Sequence, residues 1–156
     1  DASINPGNSG GALLNANGEL IGINVALASA TATTGAAGSD GLGFAVPANL
    51  ATRVADALIA GEQPSHGLLG VTQTNESSTE YQAGGVIGAV NPVSPAEDAG
   101  LRAGDVVTSV DGKLADSFTT VTALVRMHAG GEEITIGYNR NGEQREATVV
   151  LDTLEW

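Results

Sequence analysis

Asn5-Pro6-Gly7-Asn8-Ser9-Gly10-Gly11, followed by the apolar Ala12-Leu13-Leu14, is the stretch on which the reading turns. Glycines on both sides of Ser9 permit a sharp turn that exposes its hydroxyl and lets a carbonyl approach the backbone closely. In such a turn the amides of Gly7 and Ser9 can aim at one spot, as an oxyanion hole requires. A plain glycine-rich turn before a hairpin accounts for the same residues, because Gly, Asn and Ser are ordinary turn formers. The stretch also satisfies the G-x-S-x-G elbow of α/β-hydrolases, which needs a buried strand before the serine and a helix after it. Both sides fail that test. Asn5 and Pro6 stand where the strand should end, and Ala12 onward reads as a hairpin.

Outward from the serine, Ala12 to Asn15 and Glu19 to Leu27 are β-compatible runs joined by Asn15-Ala16-Asn17-Gly18, whose Asn-Gly step suits a hairpin. Ala28 to Gly41 holds only small and polar residues with one Asp, so a mobile surface loop is expected. Leu42 to Val46 resumes a strand. Pro47 then opens a helix with Leu50, Val54 and Leu58 on one stripe, ended by Gly61. Glu62-Gln63-Pro64-Ser65-His66 is polar and proline-containing, which suits a linker.

From Gly67 the pattern restarts. Leu68 to Thr72, Val86 to Val90, Val106 to Val110, Ile134 to Tyr138 and Ala147 to Leu151 read as five strands. Ser94-Pro95-Ala96-Glu97 is a capping-box sequence, and Gly100 ends that short helix. Asp111-Gly112 and Asn141-Gly142 mark hairpin turns, while Phe118 to Met127 forms a second helix started by Asp116 or Ser117. The expected class is mainly β and α+β, with residues 1–61 and 67–156 as separate parts and 62–66 between them.

Composition narrows the function. Of 156 residues, 42% are hydrophobic and 15% charged, which fits a folded chain and not a disordered one. Eighteen acids against six bases give a net charge of −12, which repels a phosphate backbone, so no nucleic-acid partner is expected. The absence of cysteine excludes disulfides and thiol catalysis without fixing a compartment. No metal site or cofactor is expected. No apolar run approaches the roughly 20 residues of a membrane span. The opening Asp1-Ala2-Ser3-Ile4 has no Met, basic region or apolar core of a signal peptide and reads as the interior of a longer protein.

Asp1 to Leu13, then Gly18-Glu19-Leu20-Ile21-Gly22-Ile23-Asn24 and Gly41-Leu42-Gly43-Phe44-Ala45-Val46-Pro47, resemble the nucleophile end of an HtrA-type serine protease. The resemblance covers essentially the whole chain, because that family follows a chymotrypsin-like domain with PDZ domains. It implies a C-terminal fragment of a chymotrypsin-like β-barrel followed by a PDZ domain. Ser9 is then the nucleophile, and Gly7, Asn8 and Ser9 shape the oxyanion hole. Ile23, Asn24 and Val25, with Phe44 and Ala45, line the primary specificity pocket. Ser3, where a trypsin-like enzyme holds an acid, implies preference for a small aliphatic side chain over Lys or Arg. Asn8, where digestive proteases hold Asp, implies no activation by a newly cut N-terminus.

Only eight residues precede Ser9, whereas a chymotrypsin-like triad draws its His and Asp from sequence before the serine. His66 and His128 fall in a linker and at a helix end. The chain alone is therefore expected to lack peptidase activity.

In the second part, Leu68-Leu69-Gly70-Val71 resembles a PDZ carboxylate-binding loop, and the Ser94 to Val107 block resembles the most characteristic PDZ stretch. A peptide C-terminus would add as a strand beside Gly70 to Thr72, against a helix wall of Phe118, Thr122 and Val125, with Val121 and Leu124 facing the core. An alternative places all five in the core. An apolar groove would favour hydrophobic C-termini, with Arg102 or Arg126 attracting the carboxylate. The resemblance further implies an extracytoplasmic endopeptidase of protein quality control and stress response, acting on unfolded proteins and peptides. It would be a homo-oligomer built on trimers, with room for a membrane anchor upstream. The competing reading is a catalytically silent peptide-binding fragment, and a structural role for the acidic second part is the other reading of that part.

Overall fold

The computed structural model describes residues 7–27, 43–73 and 83–154. Ser3 and the loop expected over Ala28 to Gly41 lie outside them. The chain divides into two compact units, residues 1–64 and 65–156.

The first unit is a three-stranded antiparallel sheet, β1 (Ala12–Leu14), β2 (Leu20–Leu27) and β3 (Gly43–Pro47), with β2 central, followed by α1 (Ala48–Ile59). The hairpin closes as its residues demand: Gly18 takes φ +80°, and Asn15 Oδ1 accepts from the amides of Asn17 and Glu19 at 2.9 and 3.0 Å. Leu50 and Val54 of the α1 stripe are half-buried, but Leu58 is 61% exposed, so the stripe ends a turn early. Leu14, Ile21, Val25 and Phe44 are also exposed, and the buried apolar cluster among the described residues lies wholly in the second unit.

That unit contains β4 (His66–Leu68), β5 (Val71–Gln73), β6 (Gly85–Val90), α2 (Pro95–Asp98), β7 (Val106–Val110), β8 (Lys113–Leu114), α3 (Phe118–Arg126), β9 (Glu133–Arg140), β10 (Glu143–Val150) and β11 (Asp152–Leu154). The main sheet runs β10-β9-β7-β6-β5, with β8 paired to β7, and β11 pairs separately with β4. Five strands were expected and eight are found among the described residues. The run Leu68 to Thr72 is split between two sheets, because Gly70 takes φ +79° and breaks the strand there.

Alternation builds the core. Ile134, Ile136 and Tyr138 of β9, Ile87 of β6, Val107 and Val110 of β7 and Val149 of β10 are buried, and Val121 and Val125 of α3 cover them. Ser117, not Asp116, caps α3: its Oγ accepts from the Thr120 amide at 3.2 Å. Asp116 accepts instead from the Thr120 hydroxyl at 2.6 Å, and with Ser117 this bond holds its carboxyl below the ordinary value. In α2, Ser94 Oγ accepts from the Glu97 amide at 3.3 Å, while Glu97 Oε2 reaches past the cap to the Val93 amide at 2.7 Å.

Asp105, 1% exposed, ties the turn that precedes β7 to the end of β9. Arg140 Nε and Nη2 donate to its two oxygens at 2.7 Å each, and the Arg102 amide donates at 2.7 Å. Arg140 Nη2 also donates to Gly100 C=O at 2.8 Å, and its guanidinium lies 5.1 Å from the Tyr138 ring centre. Burial alone would raise the Asp105 carboxyl, but the Arg140 and Arg102 bonds outweigh it and hold it below the ordinary value. A group depressed in the folded state contributes fully above the unfolded carboxylate range and loses that contribution as pH falls through its folded value. Urea unfolding at neutral and acid pH is expected to show a smaller loss of stability on acidification for Asp105→Asn than for the parent sequence. Asp105→Ala, which strands the guanidinium, should cost about 3 kcal/mol at neutral pH.

Val93 takes φ +54° although β-branched, and it is 92% exposed. Left-handed backbone at such a residue costs about 1–3 kcal/mol, and asparagine tolerates it better. Val93→Asn should therefore raise the unfolding free energy by about 1 kcal/mol in the same urea experiment.

Candidate active site and peptide-binding edge

The Ser9 turn is bound to the middle strand of the first unit. Gly10 donates to Asn24 C=O at 2.8 Å, the Asn24 amide donates to Gly11 C=O at 2.9 Å, and Gly11 donates to Asn8 C=O at 3.0 Å. Both main-chain groups of Asn24 thus clamp the turn. Gly7 lies at φ +106°, and a Cβ on Gly11 would stand 2.9 Å from Asn8 O, so bulkier residues cannot form this turn unchanged. Among the described residues neither the Gly7 nor the Ser9 amide has an acceptor, which leaves both available to an oxyanion.

Ser9 Oγ donates to Val25 C=O at 3.0 Å. That carbonyl is free because β2 bulges: Asn24 pairs with Ala45 and Ala26 with Phe44, so Val25 has no partner on β3. Sequence reasoning missed this bond, since nothing local in Asn24-Val25-Ala26 marks a bulge. Among the pocket candidates, Ile23, Asn24 and Ala45 are half-buried, while Val25 and Phe44 are exposed. The pairing Asn24↔Ala45 brings the two candidate segments side by side.

A peptide carbonyl is no base, and general-base help contributes about 10²–10⁴-fold to such reactions. The chain's two histidines, His66 and His128, are engaged within the second unit. His66 Nδ1 lies 2.8 Å from Arg126 C=O, and His128 sits between Glu132 at 2.9 Å and Asp111 at 3.5 Å.

In the second unit, β5 is an edge of the main sheet, directly after Leu69 and Gly70. Among the described residues the Leu69 and Gly70 amides have no acceptor, while Leu69 C=O accepts from Ala96 and Gly70 C=O from Asn91. A Cβ on Gly70 would collide with the Ser94 side chain, so this position is restricted to glycine by space as well as by φ. Val71 is half-buried; Leu68 and Thr72 are exposed. The proposed helix wall is divided. Phe118 and Thr122 are half-buried, with Thr122 Oγ1 bonded back to Phe118 C=O at 3.0 Å, whereas Val125 is only 4% exposed and packs in the core with Val121. Val121 is buried and Leu124 packs against the core, so Val125 alone departs from the expected wall, sharing the inward face of Val121 at i, i+4.

Comparison with known proteins matches the two parts of the chain to two families. The trypsin family matches residues 1–52 and the PDZ-domain family matches residues 67–151. The periplasmic pH-dependent serine endoprotease DegQ of Escherichia coli is 42% identical over 160 residues, covering 98% of this chain and 34% of that protein. Serine protease PepD of Mycobacterium tuberculosis is 42% identical over 158 residues, covering 99% and 33%. Among solved structures, the HtrA-type protease AlgW with decapeptide superimposes with a TM-score of 0.57 at 35% identity, covering 97% of this chain and 47% of that one. The second unit is a PDZ domain, and the first is part of a trypsin-like domain. The chain belongs to the HtrA-type serine proteases, and it spans about a third of the length of the curated relatives it matches.

With its hydroxyl donated to a carbonyl, Ser9 of the 156-residue chain is expected to stay unlabelled by a fluorophosphonate probe, read by intact mass. Rapid stoichiometric labelling would show an activating base that the described residues lack.

Proposed function

We propose that this chain carries the nucleophile and the PDZ domain of a serine endopeptidase of protein quality control, with Ser9 attacking the scissile carbonyl. The observation that carries this reading is the clamped Ser9 turn, whose Gly7 and Ser9 amides have no acceptor among the described residues and stand beside an exposed hydroxyl. Asn8 lies between the two donors and holds the turn through its carbonyl.

His and Asp from sequence preceding Ser9 complete the triad in this reading. The histidine would draw the Ser9 proton from Val25 C=O and later deliver it to the leaving amine. Ile23, Asn24, Val25, Phe44 and Ala45 would line a neutral pocket suited to a small aliphatic side chain in this reading. Upstream sequence would also cover the exposed Leu14, Ile21 and Phe44. The periplasmic names of DegQ and its relatives support an extracytoplasmic setting. In this reading the whole protein would be a homo-oligomer built on trimers that acts on unfolded proteins.

The PDZ domain would bind hydrophobic peptide C-termini. A terminal carboxylate would take the Leu69 and Gly70 amides, and the peptide would extend β5 along Val71 and Thr72. Leu68, Phe118 and Thr122 would contact side chains, while Val125 supports the helix from below. The AlgW structure with decapeptide supports peptide binding by a relative.

Fluorescence polarisation on the full chain tests this directly. Peptides ending in a free apolar residue should bind with Kd of roughly micromolar order, and their amidated forms at least about tenfold more weakly. Equal binding of acid and amide would overturn the loop assignment. Gly70→Ala should abolish binding of the free acid.

A further inference from the structure

The main sheet has a second edge, β10, opposite β5. The two-residue turn Asn141-Gly142 pairs Arg140 with Glu143, and β10 follows β9 in unbroken register to Val150↔Glu133. The pair flanking such a turn exchanges both hydrogen bonds, so alternation points the N–H and C=O of Gln144, Glu146, Thr148 and Val150 away from β9. Leu151 confirms the phase: its N–H donates to Glu132 C=O at 2.9 Å, and its C=O accepts from Gly131 at 2.8 Å. Among the described residues nothing pairs with Thr148 or Val150 along that outer edge.

The two halves of this edge differ. Glu143, Gln144, Arg145 and Glu146 guard the first half with charge and polarity, a usual defence against unwanted strand pairing. Ala147 to Val150 carry no charge, and Thr148 to Val150 border an open groove of about 490 Å³ between β10 and α2. Val93, Pro95 and Val150 supply its apolar surface, with Val93 92% and Val150 58% exposed. Asp98 and Asp152 also line it, and neither has an ion-pair partner among the described residues.

We propose that this groove between β10 and α2 is a second docking site, one that takes an extended cationic segment of a partner protein by strand addition. The outward N–H and C=O groups of Thr148 and Val150 pair with the segment's main chain. Its apolar side chains lie on Val93, Pro95 and Val150. A Lys or Arg lays its aliphatic stem along the same surface and sets its charge between Asp98 and Asp152. Charge selects this occupant over a second copy of the chain, which would bring a net −12 against two unpaired carboxylates. The site requires no terminal carboxylate, so it reads internal segments, unlike the β5 edge.

The test uses the full chain, ¹⁵N-labelled, titrated at low salt with a short peptide of alternating lysine and valine, acetylated and amidated so that no free terminus remains. Saturable amide shifts are expected in residues 93–99 and 147–152, with Kd of about 0.1–1 mM. Thr148→Pro removes an outward donor without touching the β9 ladder, and should weaken binding about fivefold to tenfold. The double variant Asp98→Asn, Asp152→Asn, which leaves the core intact, should weaken it similarly and flatten its salt dependence. A glutamate–valine peptide should not bind. Shifts confined to residues 68–73 and α3, no saturable shift, equal binding of the acidic peptide, or concentration-dependent self-association through β10 would each overturn the proposal.

Discussion

A single carboxylate organises the PDZ domain. Asp105 sits at the entry to β7 and satisfies every oxygen inward: the Arg140 fork from the end of β9, and the Arg102 amide from the turn after α2. Arg140 passes the constraint on to Gly100 C=O, where the α2 segment closes. Leaving such a charge unpaired in the interior is costly, so the turn between α2 and β7 and the end of β9 are fixed together or not at all. Both edges of the sheet inherit that order. Ser94 and α2 are held in place against Gly70 at one edge and beside β10 at the other.

The trypsin-like unit is governed by main-chain hydrogen bonds instead. Asn24 spends both backbone groups on the serine turn, and the adjacent bulge frees Val25 C=O for the hydroxyl. Position and reactivity are thereby separated. β2 sets where Ser9 stands, and among the described residues the Gly7 and Ser9 amides have no acceptor, whereas in the proposed reading nucleophilicity would come from a base able to compete with that carbonyl. The same split separates the two units energetically, since the packed apolar core of the described residues belongs to the PDZ domain.

What the sequence disclosed follows from interaction range. Asp111-Gly112 and Asn141-Gly142 announce their turns because the backbone geometry is set by the residues that adopt it, and Asp111 and Asn141 indeed lie at positive φ. The Ser94 cap and the Ser9 turn were legible for the same reason. The strand break at Gly70 was not, since a lone glycine in an apolar run does not announce its positive φ, and the Ser94 side chain that leaves no room for a Cβ there lies 24 positions away in sequence. Nor was the bridge from Asp105 to Arg140, separated by 35 residues. The place of Val125 escaped because Phe118, Val121, Thr122, Leu124 and Val125 offer two overlapping apolar stripes, and only the sheet beneath decides that Val125 joins Val121 inward.

The Asn141-Gly142 turn reaches further than the hairpin it closes. Because it contains two residues, it assigns odd positions of β10 to the ladder and even positions to the edge. The same parity sends the Val149 and Leu151 side chains into the core. Interior packing and edge chemistry are therefore one binary variable. A one-residue insertion between Gly142 and Val149 would exchange the two sets at once, so the outer edge cannot be re-registered without emptying the core beside it.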